Sequence, residues 1–387
     1  MNAPPIYLSC LGAFHHFDLA RQLAARGLLR RIFSSFPRPR LARERIDPAL
    51  VVSIPWLYTP FMLFDRLPLA DRCQAAKRGL RRLAVELHDR TVAASLHSPG
   101  VLVGLSGHNF HAGRRMQALG GRWICDRGSS HASHQAGILA AEYRRVGLEV
   151  PQRLFAHVWR ELREYAACDL ITVPTHFARN TFLAQGVAAE RIAVVPYGVD
   201  LSRFHPVDEP PRDELRLLFV GGVGVRKGVH DLLTAFAQLP VAPRGLDIAG
   251  PIEAGFDRVL ARHDLSHVTL HGPLPQTALK SLYSRAHFLV LPSVEEGLAM
   301  VQGQALACGC PVVSTPNAGA ADLFEDGAEG CIVPIHRPDL IADRIAAAWY
   351  DGTCWEMRRR ALQRVRALGG WDDYGRRFVE LVTRLAG

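Results

Sequence analysis

Residues 291–311, LPSVEEGLAMVQGQALACGCP, carry groups suited to holding an anion. An apolar run ends at Leu291, Pro292 and Ser293 follow, and Gly297 permits a tight turn into a helix expected to start near Met300. The first amides of that helix, from Leu298, Ala299 and Met300 onward, have no partners within it. Together with the helix dipole they favour a phosphate. Gln304 falls one turn in, where its amide can meet a ribose hydroxyl, and Glu296 in the turn can accept hydrogen bonds from sugar hydroxyls. A surface acid and a solvated glutamine would read the same way, so residue type alone leaves both accounts standing.

A second segment, FVGGVGVRKG at 219–228, has the same character. Gly221 and Gly222 after an apolar run let backbone approach a ligand closely, and Arg226 and Lys227 then offer cationic donors for a diphosphate. Lys227 is one of three lysines in the chain, with Lys77 and Lys280, so its place at a strand–helix junction carries weight.

For these turns to meet, the chain must build parallel sheets. Apolar runs at 6–11, 101–105, 122–125, 171–174 and 192–195 alternate with helical periodicity. In 17–27, Leu19 and Leu23 share a face and Gly27 suits a C-cap; Val158, Leu162 and Tyr165 mark another helix. A charged, proline-rich linker at 206–212 follows, and then the pattern restarts. Strands are expected at 215–220, 246–249, 268–271, 288–291, 311–314 and 331–333, with helices at 229–238, 276–285, 301–308 and 338–349. Trp371, Tyr374, Phe378, Leu381, Val382 and Leu385 form one face of a last helix. The fold class is therefore α/β, two Rossmann-like doubly wound domains facing a cleft. The expected division is 1–205, 206–369, and a terminal helix at 370–387 crossing back to the first domain. Ligands in such sheets bind beyond the carboxyl ends of the strands, where both motifs fall. Residues 54–69 fit neither pattern. They read either as a helical insertion buried on the first domain or as an amphipathic lip at a membrane or acceptor site.

With 387 residues, 48% hydrophobic and 21% charged, the chain can bury two cores. It contains no run of 18 apolar residues, and residues 1–8 read as a lead-in to the first strand rather than a signal peptide. Eight cysteines without a CxxC pair or zinc spacing are expected to be reduced and buried in a cytoplasmic protein. Residues 1–200 hold 26 Lys+Arg against 15 Asp+Glu, whereas 201–387 hold 20 against 22. That basic half suits an anionic partner, such as a membrane surface, a pyrophosphate-linked lipid or nucleic acid, or else a surface solvated by arginine.

The second half resembles the nucleotide-binding domain of the GT-B retaining glycosyltransferases of family 4. The resemblance is ordered from about Glu161 to Pro334 and diffuse before that. The family pattern has a strand–GR–x–KG segment and a PS-x-x-EG segment with two glutamates eight positions apart. Glu296 takes the first glutamate position, Gln304 replaces the second, and Gly222 replaces the arginine after the first glycine. VPYGVDLSRFHP at 195–206 is similar to the family's domain junction, and Gly272-Pro273-Leu274 to the loop that meets the base. In the first half the resemblance implies a glycine loop after the first strand, which Gly12 would supply, and a histidine near the sugar. His131, in DRGSSH after a predicted strand, is the main candidate for it; His108, His15 and His16 are others, with Arg127 beside them.

The implied activity is retaining transfer of a sugar from a UDP- or GDP-sugar to a saccharide or lipid-linked acceptor, in cell-surface polysaccharide synthesis. Lys227, Glu296 and His131 are the expected catalytic residues; Arg127, His15, His16 and His108 are placed on the acceptor side. No cofactor is expected. No two aspartates stand two positions apart, so the usual metal-holding Asp-x-Asp pair is missing and metal-independent transfer follows as the expectation. The expected location is the cytoplasm, with peripheral contact to the anionic inner face of the cell membrane. A sugar-nucleotide epimerase on the same fold is the nearest alternative, and it would release a changed nucleotide sugar without an acceptor. Nucleic acid is not an expected partner, because the basic residues are spread through helices rather than interleaved with aromatics on one surface.

Overall fold

The computed structural model describes residues 4–12, 14–56, 58–64 and 74–386. Among them, strands β1 (Ile6–Cys10), β2 (Leu29–Ser34), β3 (Val51–Ser53), β4 (Val101–Leu105), β5 (Arg122–Asp126), β6 (Leu170–Val173) and β7 (Ile192–Val194) form the first sheet. Its order is β3-β2-β1-β4-β5-β6-β7 and every pair is parallel. The second sheet comprises β8 (Leu215–Val220), β9 (Arg244–Ala249), β10 (Val268–Gly272), β11 (Phe288–Leu291), β12 (Val312–Ser314) and β13 (Gly330–Ile332). It runs β10-β9-β8-β11-β12-β13, also all parallel. Strands buried on both faces are largely apolar, and Ile6–Cys10 and Phe288–Leu291 are buried along their whole length, with the one polar residue, Ser9, hydrogen-bonded to His88 at 3.0 Å.

Strand order reverses between β1 and β4 in one sheet and between β8 and β11 in the other. Crevices open at such switch points. The loops leaving those strands carry Phe14 and His15, Ser106 and His108, Arg226 and Lys227, and Glu295 and Glu296. Most expected strands fall within a residue or two of the observed ones. β2 and β3 were not anticipated, because Arg30 and Arg31 interrupt the apolar run of the first and the second is three residues long. The Gln74–Ala94 and Thr353–Leu368 helices were also unread. Of residues 54–69, Tyr58–Phe64 is helical with Phe61 buried and Trp56 and Leu63 exposed, while 57 and 65–69 lie outside the described residues. The seven described cysteines are free and buried. No helix among the described residues is long and apolar enough to cross a membrane.

The lobes are interlocked rather than merely adjacent. Tyr143 and Val146, at the end of the first-lobe helix Ala132–Arg145, pack into the second lobe's core. Beside them buried Glu142 lies 2.7 Å from both His230 and His336 of the second lobe, and Arg145 bridges Glu142 and Asp231 at 2.7 and 2.8 Å. Burial alone would raise the Glu142 carboxyl, but hydrogen bonds from His230 and Arg145 outweigh it and hold it down at about 2. The two chain crossings touch backbone to backbone. A Cβ on Gly198 would stand 2.4 Å from Gly370, so only glycine fits there.

After the second crossing the Trp371–Ala386 helix returns to the first lobe. Tyr374, Phe378 and Val382 join Phe17, Leu19 and Leu23 in its core. Phe378→Ala should therefore lower unfolding free energy by about 3–5 kcal/mol, read from the urea midpoint at unchanged m-value.

Candidate active site between the lobes

The facing switch points enclose a cavity of about 1630 Å³ lined by both lobes. On the second-lobe side a short 3₁₀ turn, Val225–Lys227, closes on Gly228 at φ +65° and presents Arg226 and Lys227. Lys227 Nζ lies 2.5 Å from Glu296 Oε1. Leu298, Ala299, Met300 and Val301, where the Met300–Ala307 helix begins, line the same cavity, as does Gln304, whose Oε1 accepts from Tyr283 at 3.2 Å. The loop bearing Glu296 is fixed through its amide, which donates to Asn317 O at 3.0 Å. The lobes meet closely here: a Cβ on Gly297 would stand 2.0 Å from Gly128 O.

Arg226 is less available than its position suggests. Its Nε lies 3.0 Å from Glu295 Oε2, and its Nη2 donates to Ser129 Oγ at 3.1 Å. Glu295 is fully buried and also accepts from Ser129 Oγ, Ser130 N, Ser130 Oγ and Gln135 Nε2 at 2.6–3.1 Å, all from the first lobe. Burial raises its carboxyl, but Arg226 and the hydrogen bonds from Ser130, Gln135 and Ser129 bring it to about 2. Sequence reasoning missed this residue, since nothing in two successive glutamates says which one turns toward the other lobe.

On the first-lobe side Asp126, at the end of β5, is the second group not anticipated. It lies 2.6 Å from His15 Nε2 and accepts from Thr172 Oγ1 at 2.6 Å. Burial would raise its carboxyl; His15 in particular keeps it below the ordinary range. His15 lines the cavity with its ring 4.4 Å from that of Tyr197. Arg127 lines it too, but its guanidinium is engaged by Ser130 O, Glu161 and Gln135, each at 2.9 Å. His108 also faces the cavity, and burial lowers its pKa well below the usual range.

Other expected site residues lie elsewhere. His131 Nδ1 accepts from Ser133 N at 3.2 Å, so the ring caps the Ala132–Arg145 helix, packed against Tyr165 and Phe182. It does not line the cavity, and burial lowers it to about 4. The catalytic part expected for it has no geometric support, because the ring is committed to the cap. His16 is fully buried behind His15, and burial takes it to about 3. Gly12, Gly221, Gly222 and the loop Gly272, Pro273 and Leu274 are not among the residues that line the cavity. Among the described residues, two buried side-chain groups converge closely enough to hold an ion: His15, His16 and Asp126, and Glu142, His230 and Asp231. In the second the Arg145 guanidinium already fills the place of a cation.

Two parallel doubly wound lobes that set a cationic turn and a helix start against one cleft make the GT-B fold. Residues 13–203 match the family described as Glycosyltransferase Family 4, and residues 202–367 the one described as Glycosyl transferases group 1. The chain belongs to the group 1 glycosyltransferases, of the family 4 type. It is 27% identical to the D-inositol 3-phosphate glycosyltransferase of Thermomonospora curvata, over 95% of this chain and 88% of that protein. Against the protein of the same name from Mycobacterium tuberculosis the figures are 29%, 92% and 74%. In fold it resembles sucrose-phosphate synthase from Thermosynechococcus elongatus, with a TM-score of 0.70, 20% identity and 99% of each chain covered. Anabaena HepE in complex with UDP and glucose gives 0.69 and 14%, covering 98% of this chain and 100% of that one.

Glu295 predicts a specific acid limb. Its folded value of about 2 lies below the ordinary 4.5, so its contribution is complete above pH 4.5 and is lost as pH falls toward 2. That depression corresponds to roughly 3 kcal/mol at most. Glu295→Gln should lower stability at pH 7 by up to that amount and flatten the loss between pH 5 and 2, read from urea midpoints across pH. His131→Ala should cost about 1–3 kcal/mol in the same assay while nucleotide binding persists.

Proposed function

We propose that this enzyme moves a glycosyl group from a UDP- or GDP-sugar to a saccharide or lipid-linked acceptor, with retention of anomeric configuration and without a metal ion, in cell-surface polysaccharide synthesis. The observation that carries the reading is that the Arg226-Lys227 turn and the start of the Met300–Ala307 helix line one cavity. A pyrophosphate placed there meets cationic donors and free helix amides together.

The same groups offset the charge that grows on the leaving diphosphate as the glycosidic bond breaks. Glu296 is the present partner of Lys227 at 2.5 Å. Donor binding exchanges that carboxylate for phosphate oxygens and frees it to accept hydrogen bonds from the hydroxyls of the sugar next to the phosphate. Gln304, farther along the helix, meets the ribose; an amide cannot ionise, so it positions and does not act as a base. His15, held by Asp126 across the cavity, stands on the acceptor side. Retention rests on the likeness of the segment around Glu296 to the family pattern.

A panel of UDP, GDP, ADP and their sugars, read by thermal shift, tests the donor site, since ligand binding to the native state raises the melting temperature. Lys227→Ala should abolish the shift from the preferred nucleotide, and an unchanged shift would remove its diphosphate role. Glu296→Ala should keep the bare-nucleotide shift yet lose on the order of a hundredfold in turnover. Turnover should persist in a chelator, and release of a changed nucleotide sugar without acceptor would favour an epimerase instead.

A further inference from the structure

Behind His15 stands an imidazole whose polar atoms nothing satisfies. His16 is fully buried, and neither Nδ1 nor Nε2 of its ring has a hydrogen-bond partner among the described residues. Burial holds the ring neutral, with a pKa of about 3, so at neutral pH one nitrogen keeps an unused lone pair. Its Nε2 stands 3.4 Å from Asp126 Oδ2. The same carboxylate oxygen is 2.6 Å from His15 Nε2, and one ligand atom from each of the three residues lies within 4.8 Å of the others.

The three residues are well placed to act together. His15 and His16 open the His15–Ala25 helix and Asp126 ends β5. Thr172, on β6, donates to Asp126 Oδ1 at 2.6 Å and so fixes how the carboxylate is turned. Two imidazoles and one carboxylate are a donor set suited to a divalent transition metal, with a further position for water or a ligand. Zinc holds nitrogen and oxygen ligands at about 2.0–2.2 Å, which sets tetrahedral neighbours about 3.4 Å apart. His16 and Asp126 already have that spacing. The His15 contact must widen by about 0.8 Å, which a turn of its ring along the face of Tyr197 provides. His15, Gly128 and Tyr197 line the cavity, so an ion can enter from there. The group around Glu142 differs, because Arg145 sits within it.

We propose that His15, His16 and Asp126 form a site for a divalent transition metal of the zinc class, opening on the acceptor side of the cavity, and that its occupancy inhibits the enzyme. The inhibitory part rests on the transferase reading above; the binding part does not. On binding, the proton that His15 Nε2 shares with Asp126 passes to Nδ1 or to solvent, and the freed lone pair goes to the metal. The hydrogen bond that holds His15 toward the acceptor is lost, and a cation with its outer ligand stands in its place. The metal takes no part in the transfer, since Lys227 and the helix start offset the diphosphate from the other lobe.

The test uses the full chain without a histidine tag, stripped with a chelator and exchanged into metal-free buffer. Zn²⁺ is titrated by calorimetry and Co²⁺ by visible absorption. One equivalent should bind, with a dissociation constant on the order of micromolar, because His16 Nδ1 lacks the partner that raises affinity about 10–100-fold in stronger sites. Co²⁺ should give the intense bands of a tetrahedral site, a readout that needs no variant. His15→Gln and His16→Gln should each weaken binding by about tenfold or more, whereas His336→Gln, in the Glu142 group, should leave it unchanged. Zn²⁺ should suppress transfer over the same range, EDTA should restore it, and the nucleotide thermal shift should not respond. Lack of binding below millimolar Zn²⁺, the faint bands of an octahedral all-oxygen site, binding that survives both His15→Gln and His16→Gln, or binding lost in His336→Gln overturns the site. Binding that leaves transfer unchanged overturns its inhibitory role. Lack of any nucleotide shift in the wild-type protein would undo the donor reading while the metal titration stands.

Discussion

The site depends on one buried carboxylate. Glu295 reaches out of the second lobe, accepts hydrogen bonds from Ser129, Ser130 and Gln135 of the first, and pairs with Arg226 behind the cationic turn. A lone charge at that depth would be costly, and an unpaired Arg226 beside it nearly as costly. Satisfying both draws the 127–135 loop against the 292–299 loop, which the close approach of Gly297 to Gly128 then requires. The pairing also divides the labour between two adjacent cations. Arg226 lines the cavity while also tying the lobes together through Glu295 and Ser129, whereas Lys227 has a partner, Glu296, that a diphosphate can displace.

A similar economy governs the opposite wall. Asp126 is held by hydrogen bonds to His15 and Thr172, and Glu161 is paired with Arg127, so both carboxylates are engaged within the first lobe. The polar groups that looked most reactive in isolation are already committed to one another. The interlock of Tyr143 and Glu142 with the second lobe keeps these walls in register, because shifting one lobe would expose a satisfied polar cluster and an apolar plug together.

The architecture was legible in the sequence to the extent that burial dictates residue type. β8 and β11 stood out because a strand covered on both faces is largely apolar, with Arg216 alone polar in β8, and because Gly221 and Pro292 follow the two runs. β2 hid behind Arg30 and Arg31, of which one is exposed and one half-buried. The cationic turn and the helix start were legible for the same reason as the strands, since both follow directly from where an apolar run ends. Orientation was not legible. His131 and His15 both follow a strand, but which ring faces the cleft is decided by a cap to Ser133 in one case and by Asp126, more than a hundred positions away, in the other. The choice between Glu295 and Glu296 is of the same kind, set by what the other lobe offers.

The position of the Trp371–Ala386 helix has a consequence for how the molecule is made. Tyr374, Phe378 and Val382 complete the core of the first lobe, yet they are translated after the whole of the second. Until they emerge, Phe17 and Leu23 lack their cover, and the nascent first lobe carries an exposed apolar groove. The second lobe, continuous from Leu215 through Leu368, can close its own sheet before that helix emerges. The usual N-to-C order of domain maturation is thereby reversed, and the later-born half is the first able to become native.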